Sequence, residues 1–242
     1  MKKGIDIFFT PVTLSDQDLS GKLVVIIDVF RASSTIVTAL GHGAREVLPA
    51  SDYGTAGLLA SKMGSDARVL GGERDGRPID GYDLGNSPLE YTKQVVARKS
   101  VILITTNGTP ALMGSRTARL LVVGCFLNAD MVAKSIADND LDTFLVCCGW
   151  KGRASLEDTV CAGLIVDRLF HSNLPDNLPD SVRMAHMLYN TYRDNLTGTL
   201  SHSTHADRLR AIGYEHDVEY CLQIDHVPVL PVFDGGRLKL AD

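Results

Sequence analysis

The chain has 242 residues, 45% apolar and 22% charged, with 24 basic and 29 acidic side chains for a formal net charge of −5. This composition excludes a disordered or fibrous chain, and without a basic run it argues against binding nucleic acid through phosphate contacts. No apolar run approaches the roughly 18 residues of a membrane span. The opening MKKGIDIFFTP is broken by Asp6 and lacks a cleavage site, so it does not read as a signal peptide.

A cytoplasmic location with no membrane partner is therefore expected. The five cysteines, at 125, 147, 148, 161 and 221, contain no CxxC pair, which argues against a structural zinc site and for reduced thiols.

Short apolar runs bounded by glycine or polar residues predict strands at 5–9, 22–29, 46–50, 67–72, 100–106, 119–125 and 143–148. Helices are expected between them, at 34–42, 53–63, 88–97, 110–116, 129–138 and 156–170. Three carry explicit start signals: Ser87 before Pro88 with Glu90 in capping-box position, Thr109 before Pro110, and Ser155 with Asp158 three residues on.

This alternation predicts a three-layer α/β/α core over 1–170 with a largely parallel or mixed sheet. The linker HSNLPDNLPDS then leads to a C-terminal appendage over 171–242. It holds helices near 181–195 and 204–212 and a final strand at 227–233, packing on the same core as one structural unit. Met184 and Met187 read as core-facing helix residues.

In an open parallel sheet, ligands gather outside the carboxyl ends of the strands. The polar punctuation falls there four times, as DVFRASST, GGERDG, TTNGTP and CCGWKGRASLED. After the second strand come Asp28, Arg31 and the hydroxyls of Ser33, Ser34 and Thr35. The serines serve as helix caps in the bland reading.

TTNGTP, Thr105 to Pro110, offers hydroxyls, Asn107 and Gly108 at a helix start, which suits phosphate or carboxylate. A well-capped turn explains it equally. It is no nucleotide P-loop, and GxGxxG does not occur.

Gly71 to Glu90 reads as a long irregular loop, the kind that is usually functional inside a compact domain. Glu73 and Arg74 follow a strand and are expected at the carboxyl edge beside Asp28. Two carboxylates from two strand ends suit Mg²⁺, which takes few protein carboxylates and leaves room for substrate phosphate; the alternative is a surface salt-bridge loop.

Cys147 and Arg153 have the spacing of the cysteine-dependent phosphatases, but Trp150 and Val146 stand where that loop carries glycine and histidine. An inert core thiol is favoured. Glu157 and Asp158 read as helix-start acids or metal ligands; His202 and His205, at i, i+3 spacing, read as a metal-binding pair or, favoured without a nearby carboxylate pattern, as a polar helix entrance.

Taken together, the blocks Asp28–Leu40, Gly71–Thr92, Thr105–Leu112, Gly149–Gly163 and His205–Asp225 resemble the 2-phosphosulfolactate phosphatase family, with GYDLGNSPLEYT the most specific run. The resemblance spans nearly the whole chain. It implies an α/β, Mg²⁺-dependent phosphomonoesterase that converts 2-phosphosulfolactate to sulfolactate and phosphate, a step towards coenzyme M in some organisms.

The expected reaction is metal-assisted attack of water on a small anionic phosphoester. Mg²⁺ is assigned to a subset of Asp28, Glu73, Asp83 and Asp158. Arg31, Arg74 and Arg153 are assigned to the phosphate and to the second anionic group. Ser34, Thr35, Asn86, Thr105, Thr106, Asn107, Gly108 and Thr109 add substrate contacts.

The sequence argues against a haloacid-dehalogenase-type aspartyl mechanism, because Phe30 stands where DxD needs its second acid. Two rivals remain: a covalent phosphatase using Cys147 and Arg153, and a non-catalytic anion-binding module. Whether the chain works alone or as a homo-oligomer is not set by the sequence.

Overall fold

The computed structural model describes residues 4–11 and 16–241; the two N-terminal lysines of the signal-peptide reading lie outside them. In chain order the elements are β1 (Ile5–Phe8), α1 (Asp16–Leu19), β2 (Leu23–Ile27), α2 (Ala32–Gly41), β3 (Glu46–Pro49), α3 (Tyr53–Ser61), β4 (Arg68–Arg74) and β5 (Arg77–Pro78). They continue with α4 (Lys93–Val96), β6 (Ser100–Ile104), α5 (Gly108–Gly114), β7 (Leu120–Gly124), α6 (Ala129–Asp138) and β8 (Thr143–Cys147). The last are α7 (Leu156–Phe170), α8 (Asp180–Tyr192), α9 (Leu196–Leu200), α10 (Thr204–Ala211), α11 (Glu215–Cys221), β9 (Pro231–Asp234) and β10 (Arg237–Leu240).

Each expected core strand forms, and one mixed sheet joins them in the order β1-β8-β2-β7-β9-β10-β3-β6-β4-β5. The fold is the α/β class expected. Every residue of β2 and of β6 is buried, as apolar, largely β-branched runs covered on both faces should be.

The sheet consists of two parallel blocks, β1-β8-β2-β7 and β3-β6-β4, separated by the antiparallel hairpin β9-β10. That hairpin is antiparallel to β7 on one side and to β3 on the other, so the second block runs opposite to the first. The C-terminal strand thus lies in the middle of the sheet. In a flat sheet the carboxyl ends of the two blocks would point away from each other. Here the end of β2 and the segment after β6 meet all the same.

The contact is direct. A Cβ built on Gly108, at the end of β6, would lie 2.5 Å from the Ala32 Cβ and 2.9 Å from Asp28 Oδ2 at the end of β2. Only glycine permits that approach.

Helix α2 is buried from Ala32 to Leu40. Two of its hydroxyls are satisfied locally, Ser34 Oγ donating to the Val29 carbonyl at 2.8 Å and Thr38 Oγ1 to the Ser34 carbonyl at 2.7 Å. Such internal satisfaction lets a hydroxyl-rich helix sit in a core.

Helix α7 is capped as expected, with Ser155 Oγ accepting from the Asp158 amide at 3.2 Å. The other two start signals are not used. Ser87 Oγ donates to Asp217 Oδ1 at 2.6 Å and Glu90 accepts from the Gly85 amide, so 88–90 is a single 3-10 turn and α4 covers only 93–96. Thr109 lies inside α5, its hydroxyl donating to the Thr105 carbonyl at 2.9 Å.

On α8 the buried residues are Val182, Ala185, His186 and Tyr189. Met184 and Met187 fall between those helical positions and are 54% and 67% exposed, contrary to the core-facing expectation. Among the described residues, no helix is long and apolar enough to cross a membrane.

Candidate active site

Where β2, β4 and β6 end, a pocket of about 110 Å³ opens. Asp28 and Phe30 enter it from the end of β2, and Glu73 from β4. Thr105, Thr106 and Asn107 follow β6, Trp150 and Lys151 follow β8, and His205, Arg208, Leu209 and Ile212 come from α10 and its exit. The volume is below the roughly 300 Å³ at which drug-sized ligands begin to fit, so it suits a small molecule.

Asp28 is 5% exposed. A short turn fixes it: the Asp28 amide donates to Ser33 Oγ at 2.9 Å, the Ser33 amide to the Asp28 carbonyl at 2.9 Å, and the Ala32 amide to Oδ1 at 3.3 Å. Burial pushes its carboxyl up from 3.8 to about 6; the His205 ring and the Ala32 amide work against this, and Glu73 and Glu157 add to it.

Glu73 is buried as well, and each of its carboxylate oxygens accepts a backbone amide, Thr106 at 2.6 Å and Gly76 at 2.8 Å. The expected irregular loop proves to be a hairpin at this point. Asp75 and Gly76 both have positive φ, 53° and 81°, and join β4 to β5. This is the two-residue turn that an Asp-Gly pair favours.

Strand alternation then separates the neighbours: Glu73 points into the protein and Arg74 out, where it lies over the Tyr53 ring at 5.4 Å. Arg74 does not line the pocket.

Arg31 does line it, but much of its guanidinium is engaged. Nη1 donates to Asp217 Oδ2 at 2.7 Å, Nη2 to the Gly76 carbonyl at 2.9 Å, and the Tyr214 ring lies 4.2 Å from Cζ. The Phe30–Arg31 peptide bond is cis.

Other expected residues lie elsewhere. Arg153 is exposed beyond the Trp150–Arg153 bridge. Asp83 is exposed and accepts from the Leu70 amide at 2.8 Å. Asp158 is buried but spends both oxygens on the amides of Val29 and Gly149, at 2.9 and 3.0 Å, tying β2 to the loop after β8. Burial, together with Glu157 and Asp28, pushes its carboxyl well above the ordinary range. It is a brace.

Thr35 donates to the Asn86 carbonyl at 2.9 Å, and Ser34 is spent as described; neither lines the pocket. The Thr105 and Thr109 hydroxyls close their own turn, each accepting the other's amide at 2.9 and 3.1 Å. Gly108 and Thr109 are buried behind it. Asn86 is different. It lines the pocket, is 5% exposed, and its buried Oδ1 has no hydrogen-bond partner.

Cys147 is wholly buried, does not line the pocket, and its thiol is pushed well above its ordinary value by burial and the charges of Asp158 and Glu157. A nucleophilic thiolate needs the opposite environment.

Three groups were missed by sequence reasoning: Lys151, Arg208 and His205. Arg208 Nη2 donates to the Asp75 carbonyl at 3.4 Å, and Lys151 Nζ lies 4.8 Å from the Trp150 ring centre. His202 is exposed outside α10 while His205 faces inward, so the two do not form a pair. The missed groups lie within or beside the motifs GWKGR and HADRLRAIG, where a charged residue near a predicted site was the available signal.

A family model described as 2-phosphosulpholactate phosphatase matches residues 8–236. The chain belongs to this family. Its relatives include a protein named probable 2-phosphosulfolactate phosphatase from Caldanaerobacter subterraneus subsp. tengcongensis, 39% identical over 228 residues that cover 94% of each chain. Proteins of the same name from Clostridium beijerinckii and Clostridium acetobutylicum are 35% and 36% identical over 234 residues. Those alignments cover 97% of this chain and 98% and 99% of theirs. Family membership and the sequence resemblance therefore agree. The pocket is built from the motifs that carry the resemblance.

Proposed function

We propose that this 2-phosphosulpholactate phosphatase family member hydrolyses a small anionic phosphomonoester, 2-phosphosulfolactate first among them, with Mg²⁺ at the paired carboxylates of Asp28 and Glu73. The carrying observation is that pair: two buried acids from different strands facing one small pocket walled by Arg31, Lys151 and Arg208.

The metal fits this donor set. Mg²⁺ is commonly held by one or two carboxylates and completes its shell with water and substrate oxygens. Burial, with smaller help from Glu73 and Glu157, raises the Asp28 carboxyl, and a bound cation would favour its charged form. Among the described residues, no three His, Cys, Asp or Glu side chains form a cluster able to hold a metal. Of the four acids expected, Asp28 and Glu73 are the two that line the pocket, and the lone pairs their oxygens keep beside the amides they accept would hold the ion.

Bound there, Mg²⁺ would supply charge neutralisation at the phosphoryl oxygens and acidify a bound water. The chain's own residues do the positioning. Arg208 and Lys151 attract the phosphate and a second anionic group at the mouth. Asn86 lines the pocket, and its buried carboxamide oxygen has no hydrogen-bond partner. Little covalent chemistry is required of the protein, since positioning and charge stabilisation account for most catalysis in phosphoryl transfer.

The test is phosphate release from a panel of 2-phospho-carboxylates, with and without EDTA. Release that chelation abolishes and added Mg²⁺ restores supports the reading. Undiminished turnover after chelation would remove the metal.

A further inference from the structure

His205, in the first turn of α10, is a titratable group of the pocket wall for which the functional reading has no task. Its Nδ1 lies 3.1 Å from Oε1 of Glu157, whose side chain is 1% exposed. The Trp150 ring stacks on the imidazole at 5.3 Å and 20°, and Phe30 meets it edge-on at 6.0 Å and 75°. Contacts from the end of β2, the loop after β8 and the start of α7 thus fix the ring plane.

With Nδ1 turned to Glu157, Nε2 occupies the opposite edge of a ring that forms part of the pocket wall. A buried carboxylate on one imidazole nitrogen fixes the tautomer and leaves the other nitrogen to hold or give a proton.

Hydrolysis of an alkyl phosphomonoester needs such a donor, because an unprotonated alkoxide is a poor leaving group. The pocket offers few others. Arg31 stays charged and is engaged by Asp217 and Gly76, and Asp28 and Glu73 serve as anionic ligands in the functional reading. Arg208 cannot be deprotonated, and Lys151 is a flexible point charge at the mouth.

We propose that His205 is the general acid that protonates the departing ester oxygen, with Glu157 as its positioning residue. The inference rests on the phosphatase reading above.

The step balances with water alone. Water forms the new bond to phosphorus and gives its proton to solvent. The bond from phosphorus to the ester oxygen breaks, and its electron pair stays on that oxygen. The oxygen takes the Nε2 proton, and His205 regains one from solvent after the alcohol leaves.

The experiment compares phosphate release from 2-phosphosulfolactate, an alkyl ester, with release from phosphoenolpyruvate, whose enol oxygen leaves with less help. For His205→Asn, kcat on the alkyl ester is expected to fall about 10²- to 10⁴-fold, with a loss at least about tenfold smaller on the enol ester. Glu157→Gln should lower kcat on the alkyl ester by a smaller factor and leave KM within about twofold, as a positioning role requires. His205→Gln is measured alongside, and turnover of the enol ester shows that each variant is folded.

Equal losses on both esters in both His205 variants, or undiminished turnover of the alkyl ester, overturns the proposal. If the unaltered chain turns over neither ester, the phosphatase reading falls first and takes this inference with it.

Discussion

The guanidinium of Arg31 and the carboxylate of Asp217 meet at 2.7 Å, with only 2% and 3% of their side chains accessible to solvent. The pair joins the entrance of α2, at the end of a central strand, to α11 near the C-terminus. Ser87 adds a third member through its 2.6 Å bond to Asp217, and the Gly76 carbonyl a fourth through Arg31. Four distant segments thus hold one wall of the pocket.

Removing one partner strands the other's charge in the interior. Asp217→Ala should therefore cost about 3–5 kcal/mol of stability, read as a lower midpoint in denaturant unfolding. An unchanged midpoint would show that the pair contributes nothing.

Asp28 should make the protein less stable at neutral pH. Its carboxyl titrates near 3.8 unfolded and near 6 folded, so between those values the unfolded state binds fewer protons. Stability then falls as pH rises from about 4 to about 6 and levels off above, by about 3 kcal/mol at most for this group. In metal-free buffer at pH 7.5, Asp28→Asn should be more stable by about 1–3 kcal/mol, a gain that shrinks towards pH 4. Thermal unfolding of both proteins across this range checks the sign. A variant that melts lower at pH 7.5 would contradict it.

Cys147→Ala should retain phosphatase activity within about twofold, because the thiol is walled off from the pocket and held protonated by its surroundings. Loss of activity in a folded variant would revive the covalent mechanism.

Gly108→Ala forces a methyl group against Ala32 and the Asp28 carboxylate. Overpacking of this kind costs about 1–3 kcal/mol, and the displacement falls on the site itself. Activity should drop by more than the change in unfolding midpoint explains; matched effects would make Gly108 merely structural.

The core strands and most helices were legible because apolar runs with β-branched residues and glycine borders leave few alternatives. The convergence of strand ends was legible in outline, and Asp28 and Glu73 emerged from it. The rest depended on long-range pairing. Nothing in PVFDGGRLKL states that its hairpin sits between two parallel blocks and reverses one of them.

Arg74 departs from its expected place because β4 runs two residues past the expected strand, and alternation along that extension turns it outward. The Asp-Gly pair after it closes a hairpin where the sequence reading expects an irregular loop. His205 and Glu157 are 48 residues apart in sequence, a pairing that no local pattern contains.

The most direct measurement is phosphate release from 2-phosphosulfolactate by the unaltered chain in Mg²⁺, set against the same protein in EDTA and against Asp28→Asn in Mg²⁺. The account predicts release that falls by about 10²-fold or more in both comparisons, reflecting several kcal/mol of lost charge stabilisation. Release that persists undiminished in EDTA and in Asp28→Asn would contradict it.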